Sequence, residues 1–265
     1  MITLTGAQLT AWIALLFYPL VRVLAFFAVV PLFSNTAAPV RIRLVTAIAV
    51  TVGLLPIIPA PGPIEVNSGA GLWMIAREMS VGLAMGFAMR IVFAAFVMAG
   101  EQIGFQMGIG FATFYSPLNS AQTPILAEYF SLFATLIFLS IDGHLMLLAT
   151  LAQSFQAIPI STQPLPAESW SALVLFGGKI FSAGLLFALP VTVALLITNL
   201  ALGILAKVSP QFNLFAVGFP ITVTVGFLML SASLPYMLQP TMQLFEEGLR
   251  MMLAPASPAL SAPLR

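Results

Sequence analysis

The sequence contains no cysteine, one histidine and very few charged residues. Without cysteine the chain cannot form disulfides, thiolate metal sites or a cysteine nucleophile. Charged residues make up 6% of the 265 residues, whereas ordinary globular chains carry about a quarter. Nine Lys and Arg against eight Asp and Glu leave a net charge of +1, so there is no basic stripe that could bind nucleic acid. These absences point away from a soluble domain and from nucleic-acid binding.

Apolar residues make up 60% of the chain, and the mean hydropathy is +1.08. We predict six apolar helical stretches, to be compared with the ~20 residues that a membrane-spanning helix requires. The second is short for a span, and the fifth is long enough to require a tilt or a bend. The six stretches cover residues 11–33, 44–60, 71–99, 125–151, 171–206 and 212–239. The sequence therefore predicts one all-α membrane module.

Prolines in or near these stretches predict kinked or broken helices, because each proline removes a backbone donor. The carbonyls freed at membrane depth need protein or water as partners, which favours burial in a multi-subunit assembly. Residues 34–43 are predicted to form a polar turn that carries Arg41 and Arg43, and Gly218 with Pro220 to interrupt the last helix early. The other prolines concerned are Pro19, Pro31, Pro190 and Pro235.

The segment from Gly100 to Pro117 is predicted to be neither a full span nor a plain loop. Gly100, Gly104 and Gly108 recur at every fourth residue, so a helix here offers a small-residue stripe to another backbone. Bulky apolar and polar side chains share the segment, a mixture typical of a pore interior. The apolar ones are Phe105, Met107, Phe111 and Phe114, and the polar ones are Glu101, Gln102 and Gln106. From the residues alone, a hydrophobic pore constriction and a packed glycine-rich helix end both remain open.

Charged residues inside the apolar stretches must face protein or water, because a charge in hydrocarbon is costly. Ion pairs between helices or between subunits are favoured over a proton path, because acids and bases are scattered and nearly balanced. The residues concerned are Arg22, Arg77 with Glu78, Arg90, Asp142 and Lys179.

Two short polar motifs interrupt the apolar pattern. Asp142-Gly143-His144 predicts a polar break between helix segments rather than a catalytic site, because no second His or any Cys can complete a metal site or an activated nucleophile. Residues 207–213, which include Pro210, Gln211 and Asn213, predict a tight hairpin between antiparallel helices. The amide side chains of this hairpin require partners.

These landmarks, in this order, resemble the FliR family of flagellar type III export proteins. The resemblance runs from about Trp12 to about Pro235. Ser116 departs from it, because family members often have an acidic residue there, and the resemblance also admits Asn at the position of Asp142. The matching motifs are Tyr18-Pro19-Leu20, Arg22-Val23-Leu24-Ala25, Gly100 to Pro117, Asp142-Gly143-His144, Ser154-Phe155 with Pro159, Pro210-Gln211 and Gly218-Phe219-Pro220.

The resemblance implies a subunit without catalytic activity, cofactor or metal that joins FliP and FliQ at the entry of the export channel. FlhB and FlhA are then neighbours, unfolded flagellar proteins are the substrates, and the location is the bacterial inner membrane at the flagellar basal body. It also implies kinked helices in a FliP-like portion over residues 1–165 and a FliQ-like hairpin over 166–245. A short amphipathic end and a flexible tail are expected over 246–265.

In this family the loop that matches Gly104 to Pro117 lies in the channel as a plug. The resemblance thus assigns pore sealing to Gly104, Phe105, Gln106, Met107, Gly108, Gly110, Phe111, Phe114, Tyr115 and Pro117. Subunit packing is expected of Glu101, Asp142, His144, Pro210, Gln211 and Asn213. The alternatives are a secondary transporter, an intramembrane enzyme and the equivalent subunit of a virulence injectisome.

Overall fold

The structure is a computed structural model that describes residues 6–34, 39–59, 68–109, 124–209 and 214–254, with side chains described from 14 onward and, in the last range, from 217. These ranges contain α-helices and a short 3-10 helix and no strand, which confirms the predicted all-α class. The α-helices are α1 (Gly6–Val29), α2 (Val40–Leu54), α3 (Gly69–Gln106), α4 (Ile125–Ser140), α5 (Gly143–Ala157), α6 (Ala167–Phe176), α7 (Lys179–Val208) and α8 (Leu214–Met252).

The second helix begins earlier than predicted. Pro39 has an extended ψ of 141°, and helical geometry starts directly after it at Val40. Arg41 and Arg43 therefore lie in the first turn of α2, and their prediction as part of a polar turn was wrong. Arginine is a good helix former, although cations near a helix N-terminus oppose the helix dipole, so the start of α2 is set by Pro39 rather than by these side chains. With the 3-10 helix that follows, Val40–Ile57 reaches 18 residues and is long enough to span a membrane.

Two of the predicted stretches are divided. The fourth forms α4 and α5, which meet at a 72° bend. The fifth forms α6 and α7, which are separated by Gly177 and Gly178. The long apolar runs are thus broken, as we expected. The breaks lie at Gly177 with Gly178 and at Asp142 rather than at the prolines.

The last helix is longer than predicted. It runs without interruption through Gly218 and Pro220, so the expected early interruption was wrong. A proline removes only one donor from the helix, and the remaining turns stay bonded. Residues 246–252 continue α8 rather than forming a separate amphipathic helix. Pro235 and Pro240 also lie within α8, as Pro19 does within α1 and Pro190 within α7.

Four helical segments of the described chain are long and apolar enough to cross a membrane, and the bent pair α4–α5 would make a fifth. The four are Val40–Ile57, Gly69–Gln106, Ala167–Val208 and Val217–Met252. Many of their large apolar side chains are exposed, including Phe181, Leu200 and Ile204 on α7. Lipid or other protein chains must cover such surfaces, because contact between large apolar surfaces and water is unfavourable.

The chain divides into two compact units. Unit 1 comprises residues 1–91, 138–177 and 246–265, and unit 2 comprises 92–137 and 178–245. In unit 1, α3 packs closely on α1 through Gly82 and Gly86. A Cβ on Gly86 would lie 3.0 Å from the carbonyl oxygen of Phe26, and one on Gly82 would overlap the carbonyl oxygen of Arg22. Small residues four apart thus permit backbone approach, as is common between membrane helices.

Unit 2 is built on aromatic side chains of α3, α7 and α8. The ring of Phe96 stacks on Phe187 at 4.8 Å between centroids and contacts Phe245 at 5.8 Å. All three side chains are nearly fully buried. Gly184 lets α7 approach α3, because a Cβ there would lie 3.0 Å from the carbonyl oxygen of Ala95. The glycine-rich end of α3 extends from this core.

Candidate functional site

The glycine-rich segment begins as the last turns of α3 and leaves the helix through a Schellman motif. The amide of Ile109 donates to the carbonyl of Gly104 at 3.1 Å, and the amide of Gly108 to that of Phe105 at 3.1 Å. Gly108 has a φ of 80°, in the left-handed region that a Schellman motif requires of its terminal residue. Met107 is therefore the last residue in register with the helix, and the chain changes direction at Gly108.

The predicted small-residue stripe makes a close contact at Gly100. A Cβ on Gly100 would lie 2.6 Å from the Cα of Ala127, at the start of α4. Because the neighbour is backbone, no side-chain rotation could relieve this overlap. Gly104 lies one turn further along, where a Cβ would make ordinary contact with the side chain of Leu126 at 3.7 Å. The stripe therefore holds the end of α3 against α4.

Met107 is fully buried and fits against α8. A Cβ on Gly226 would lie 2.6 Å from Met107 Cε and 2.7 Å from its Cγ, so only glycine leaves room for this side chain. The hydroxyl of Thr222, one turn earlier on α8, donates to the Met107 carbonyl at 3.0 Å and is shared with the carbonyl of Phe219. Carbonyls at a helix end lack helical partners, so α8 supplies both a slot and a hydrogen bond to the end of α3.

The other predicted residues of this segment differ in their environment. Phe105 is 71% exposed, Glu101 is exposed, and Gln106 is half-buried at the last position of α3. The remaining predicted plug residues lie outside the described ranges, as do the three predicted packing residues of the 207–213 hairpin. These are Gly110, Phe111, Phe114, Tyr115 and Pro117, followed by Pro210, Gln211 and Asn213.

Asp142 and Gly143 form the break between α4 and α5, which confirms the predicted polar break. Asp142 adopts a left-handed conformation with φ 56°, which Asp and Asn tolerate better than most residues. Its carbonyl accepts hydrogen bonds from the amides of Leu145 and Met146 and so starts α5. Within the described chain, Nδ1 of the half-buried His144 has no hydrogen-bond partner. The geometry of the motif is that of a helix junction.

A buried ion cluster in unit 1 joins three helices. Arg22 of α1 is fully buried, and its Nη2 lies 2.6 Å from Oε2 of Glu78, which is fully buried on α3. Its other donors bond the carbonyls of Ser154 at 3.0 Å and Ile158 at 2.9 Å, at the C-terminal end of α5. Its guanidinium also lies 4.3 Å from the centroid of the Phe155 ring. Arg22 thus neutralises a buried carboxylate and satisfies carbonyls at the negative end of a helix.

Arg77 completes the cluster and fixes the segment that follows α5. Its Nη1 lies 2.8 Å from the other oxygen of the same carboxylate and 3.1 Å from the carbonyl of Pro159. Its Nε donates to the carbonyl of Gln163 at 2.7 Å. The indole of Trp73, one turn earlier on α3, donates to the carbonyl of Thr162 at 2.9 Å. One carboxylate therefore serves two guanidiniums, whose remaining donors reach backbone oxygens.

The cluster confirms, for Arg22, Arg77 and Glu78, the prediction that embedded charges pair with one another. Arg90 and Asp142 are exposed instead. Sequence reasoning did not predict that Arg22 meets Ser154, because 132 positions separate them. The one sequence signal that could have indicated this contact is the family resemblance, because its motifs include Arg22, Ser154-Phe155 and Pro159. The cluster belongs to unit 1, whereas the end of α3 belongs to unit 2.

In the part of the chain that the structure describes, no three His, Asp or Glu side chains lie where they could jointly hold a metal ion. The fold and the site together define an all-α membrane protein whose candidate site is an anchored, glycine-rich helix end. Residues 13–248 match the family model described as bacterial export proteins, family 1. The chain belongs to this family and, within it, to the FliR proteins.

Curated relatives carry the name flagellar biosynthetic protein FliR. The chain is 39% identical to the Escherichia coli protein over 93% of this chain and 94% of the relative. It is 39% identical to the Pectobacterium carotovorum protein over 89% and 90% of the two chains, and 34% identical to the Bacillus subtilis protein over 79% and 82%. As a member of this family it is a component of the flagellar export apparatus and not an enzyme.

Proposed function

We propose that this chain is a channel-forming subunit of the flagellar type III export gate, and that the segment from Gly104 to Pro117 is the plug that seals the channel at rest, with Gly104 to Met107 as its base. Family membership supports the place in export. The plug is supported by one structural observation above all, the anchored exit of α3 at Met107 and Gly108. A segment that must seal and open needs a fixed base and a residue at which the backbone can turn. Met107 supplies the base, and Gly108 can turn once the two hydrogen bonds of the Schellman motif open.

Seal and movement follow from different residues. Phe111 and Phe114 are the leading sealing groups, because a constriction lined by aromatic side chains excludes water and ions when narrow. Gly108 and Gly110 allow the segment to swing aside when an unfolded substrate arrives. The chain has no nucleotide-binding motif, so the energy for transport comes from other components.

The assembly is part of the same proposal. FliP and FliQ are the direct partners and FlhB and FlhA the neighbours, in the inner membrane at the flagellar basal body. Residues 1–165 form the FliP-like portion, 166–245 the FliQ-like hairpin and 246–265 the C-terminal end. Exposed apolar side chains along α7 support burial against other subunits, since their number exceeds what scattered surface residues explain. Glu101, Asp142, His144 and the hairpin residues Pro210, Gln211 and Asn213 are proposed packing positions.

The test is deletion of residues 110–115 in a strain that carries no other copy of the gene. We expect FliP and FliQ to copurify at wild-type levels while the membrane leaks ions, because the frame is intact and the seal is missing. A deletion of equal length at 258–263 lies outside the family match and serves as the control. An assembled deletion variant as tight as wild type would refute the plug. Failure of FliP and FliQ to copurify with the wild-type chain would refute the assembly.

A further inference from the structure

We propose that Met107, Thr222 and Gly226 form an anchor that holds the base of the plug on α8, so that plug movement begins at Gly108 and not before. This inference rests on the proposed plug function. The inference assigns to α8, through Thr222 and Gly226, the role of positioning the base of the plug.

Two contacts of a buried residue define the anchor. The Met107 side chain is fully buried, its Cγ and Cε occupy the space above Gly226, and its carbonyl accepts a hydrogen bond from buried Thr222 at 3.0 Å. Side chain and backbone of one residue are thus held by two successive turns of α8. A residue held in both ways cannot rotate without losing packing and a hydrogen bond together.

The next residue has the opposite character. Gly108 has a φ of 80° and no side chain, so its backbone can reach conformations that other residues avoid. Rotation at Gly108 requires only that the two hydrogen bonds of the Schellman motif open, from Gly108 to Phe105 and from Ile109 to Gly104. Rotation at Met107 also requires loss of its buried packing and of the Thr222 bond, so Gly108 is the first residue that can turn without leaving the anchor. Upstream, α3 is also held at Gly100 against the backbone of α4, which adds a second fixed point about two turns before the anchor.

The decisive substitution is Gly226→Ala. Because the new methyl would overlap Met107 at Cγ, turning the end of the side chain would not relieve the overlap, and Met107 would have to change χ1 and leave its slot. Gly53→Ala is the matched control, since it adds the same methyl to a helical glycine of α2 with no neighbouring atom within 4 Å.

Movement of the base is read by maleimide labelling of Gln106→Cys, at the half-buried last position of α3, which is the only thiol of this chain because the natural sequence has no cysteine. In assembled gates we expect Gly226→Ala to raise the labelling rate by roughly tenfold or more, and to cause ion leakage. Gly53→Ala should change neither the labelling rate nor the leakage. An unchanged labelling rate in an assembled gate would overturn the anchor, whatever the leakage.

Leakage separates the anchor from the plug. If the 110–115 deletion leaks and Gly226→Ala labels faster without leaking, sealing does not need the anchor and the inference is overturned. If neither variant leaks, the proposed plug itself fails, and the gating role of the anchor fails with it.

A second variant covers the case in which Gly226→Ala does not assemble. In Met107→Cys/Gly226→Cys, the Met107 Cγ position lies 2.7 Å from the new Cβ, close to the ~3 Å between a sulfur and the far Cβ of a disulfide. We expect the reduced pair to leak and the oxidised pair to seal and still export. An oxidised pair that blocks export would show that the base itself must move, which contradicts the inference.

Discussion

Neutralising the carboxylate of the ion cluster with Glu78→Gln should be among the most damaging single substitutions in unit 1. The change keeps the shape of the side chain and removes the only carboxylate that pairs with Arg22 or Arg77 within the described residues. Arg22 has no exposed surface in its side chain, so its charge cannot turn to water. Breaking a buried ion pair by removing one partner costs about 3–5 kcal/mol, a large share of the stability of a typical domain.

The geometry also predicts an asymmetry between the two partners. Arg22→Met should destabilise less than Glu78→Gln, because Glu78 keeps its contact with Arg77 at 2.8 Å. The double variant Arg22→Met/Glu78→Gln should be more stable than Glu78→Gln alone, since no uncompensated charge remains at position 22. We expect a coupling of about 0.5–3 kcal/mol between the two sites.

Heat unfolding of the detergent-solubilised full chain measures these differences, and Glu246→Gln is the matched control. The carboxylate of Glu246 is 59% exposed and 3.5 Å from Arg250, so its loss should change stability by no more than about 0.5 kcal/mol. The reasoning is refuted if Glu78→Gln unfolds like the control, or if Arg22→Met is as damaging as Glu78→Gln.

Two glycine substitutions test the end of α3. Gly100→Ala should destabilise the chain by about 1–3 kcal/mol, because its methyl would overlap backbone of α4, whereas Gly203→Ala should be neutral or slightly stabilising; equal unfolding temperatures would contradict the close packing. Gly108→Val should destabilise the helix end by about 1–2 kcal/mol because of the positive φ, and Gly108→Asn by less. Proteolysis of the 110–117 segment in membranes would report this loss, and equal rates for Val and Asn would contradict the assigned conformation.

The helical class and most helices could be predicted from the apolar runs, because those runs are long and almost free of charge. Their boundaries could not. Residues that usually break helices occur both at the break between α6 and α7, as Gly177 and Gly178, and within α8, where Gly218 and Pro220 do not end the helix. Local sequence cannot separate these cases, because continuation of a helix through a proline depends on what packs around it.

The candidate site was predictable in part. The four-residue glycine spacing predicted a close backbone contact, and Gly100 makes one. Contacts across long separations were not predictable, since Thr222 lies 115 positions from Met107 and neither residue carries a motif that names the other. The same spacing occurs at Gly82 and Gly86, where it also predicts a close backbone contact, and there it sets the packing of α1 on α3.

The proposed plug requires that the segment after Gly108 lines and closes the path of the exported chain. It is tested most directly by placing a photo-crosslinking amino acid at Phe111 and stalling an unfolded substrate in the gate. We predict a crosslink between this position and the substrate, which disappears when export is inactive, and none from Phe181, which is 65% exposed on α7. A stalled substrate that crosslinks from Phe181 and never from Phe111 would contradict the assignment of this segment as the plug.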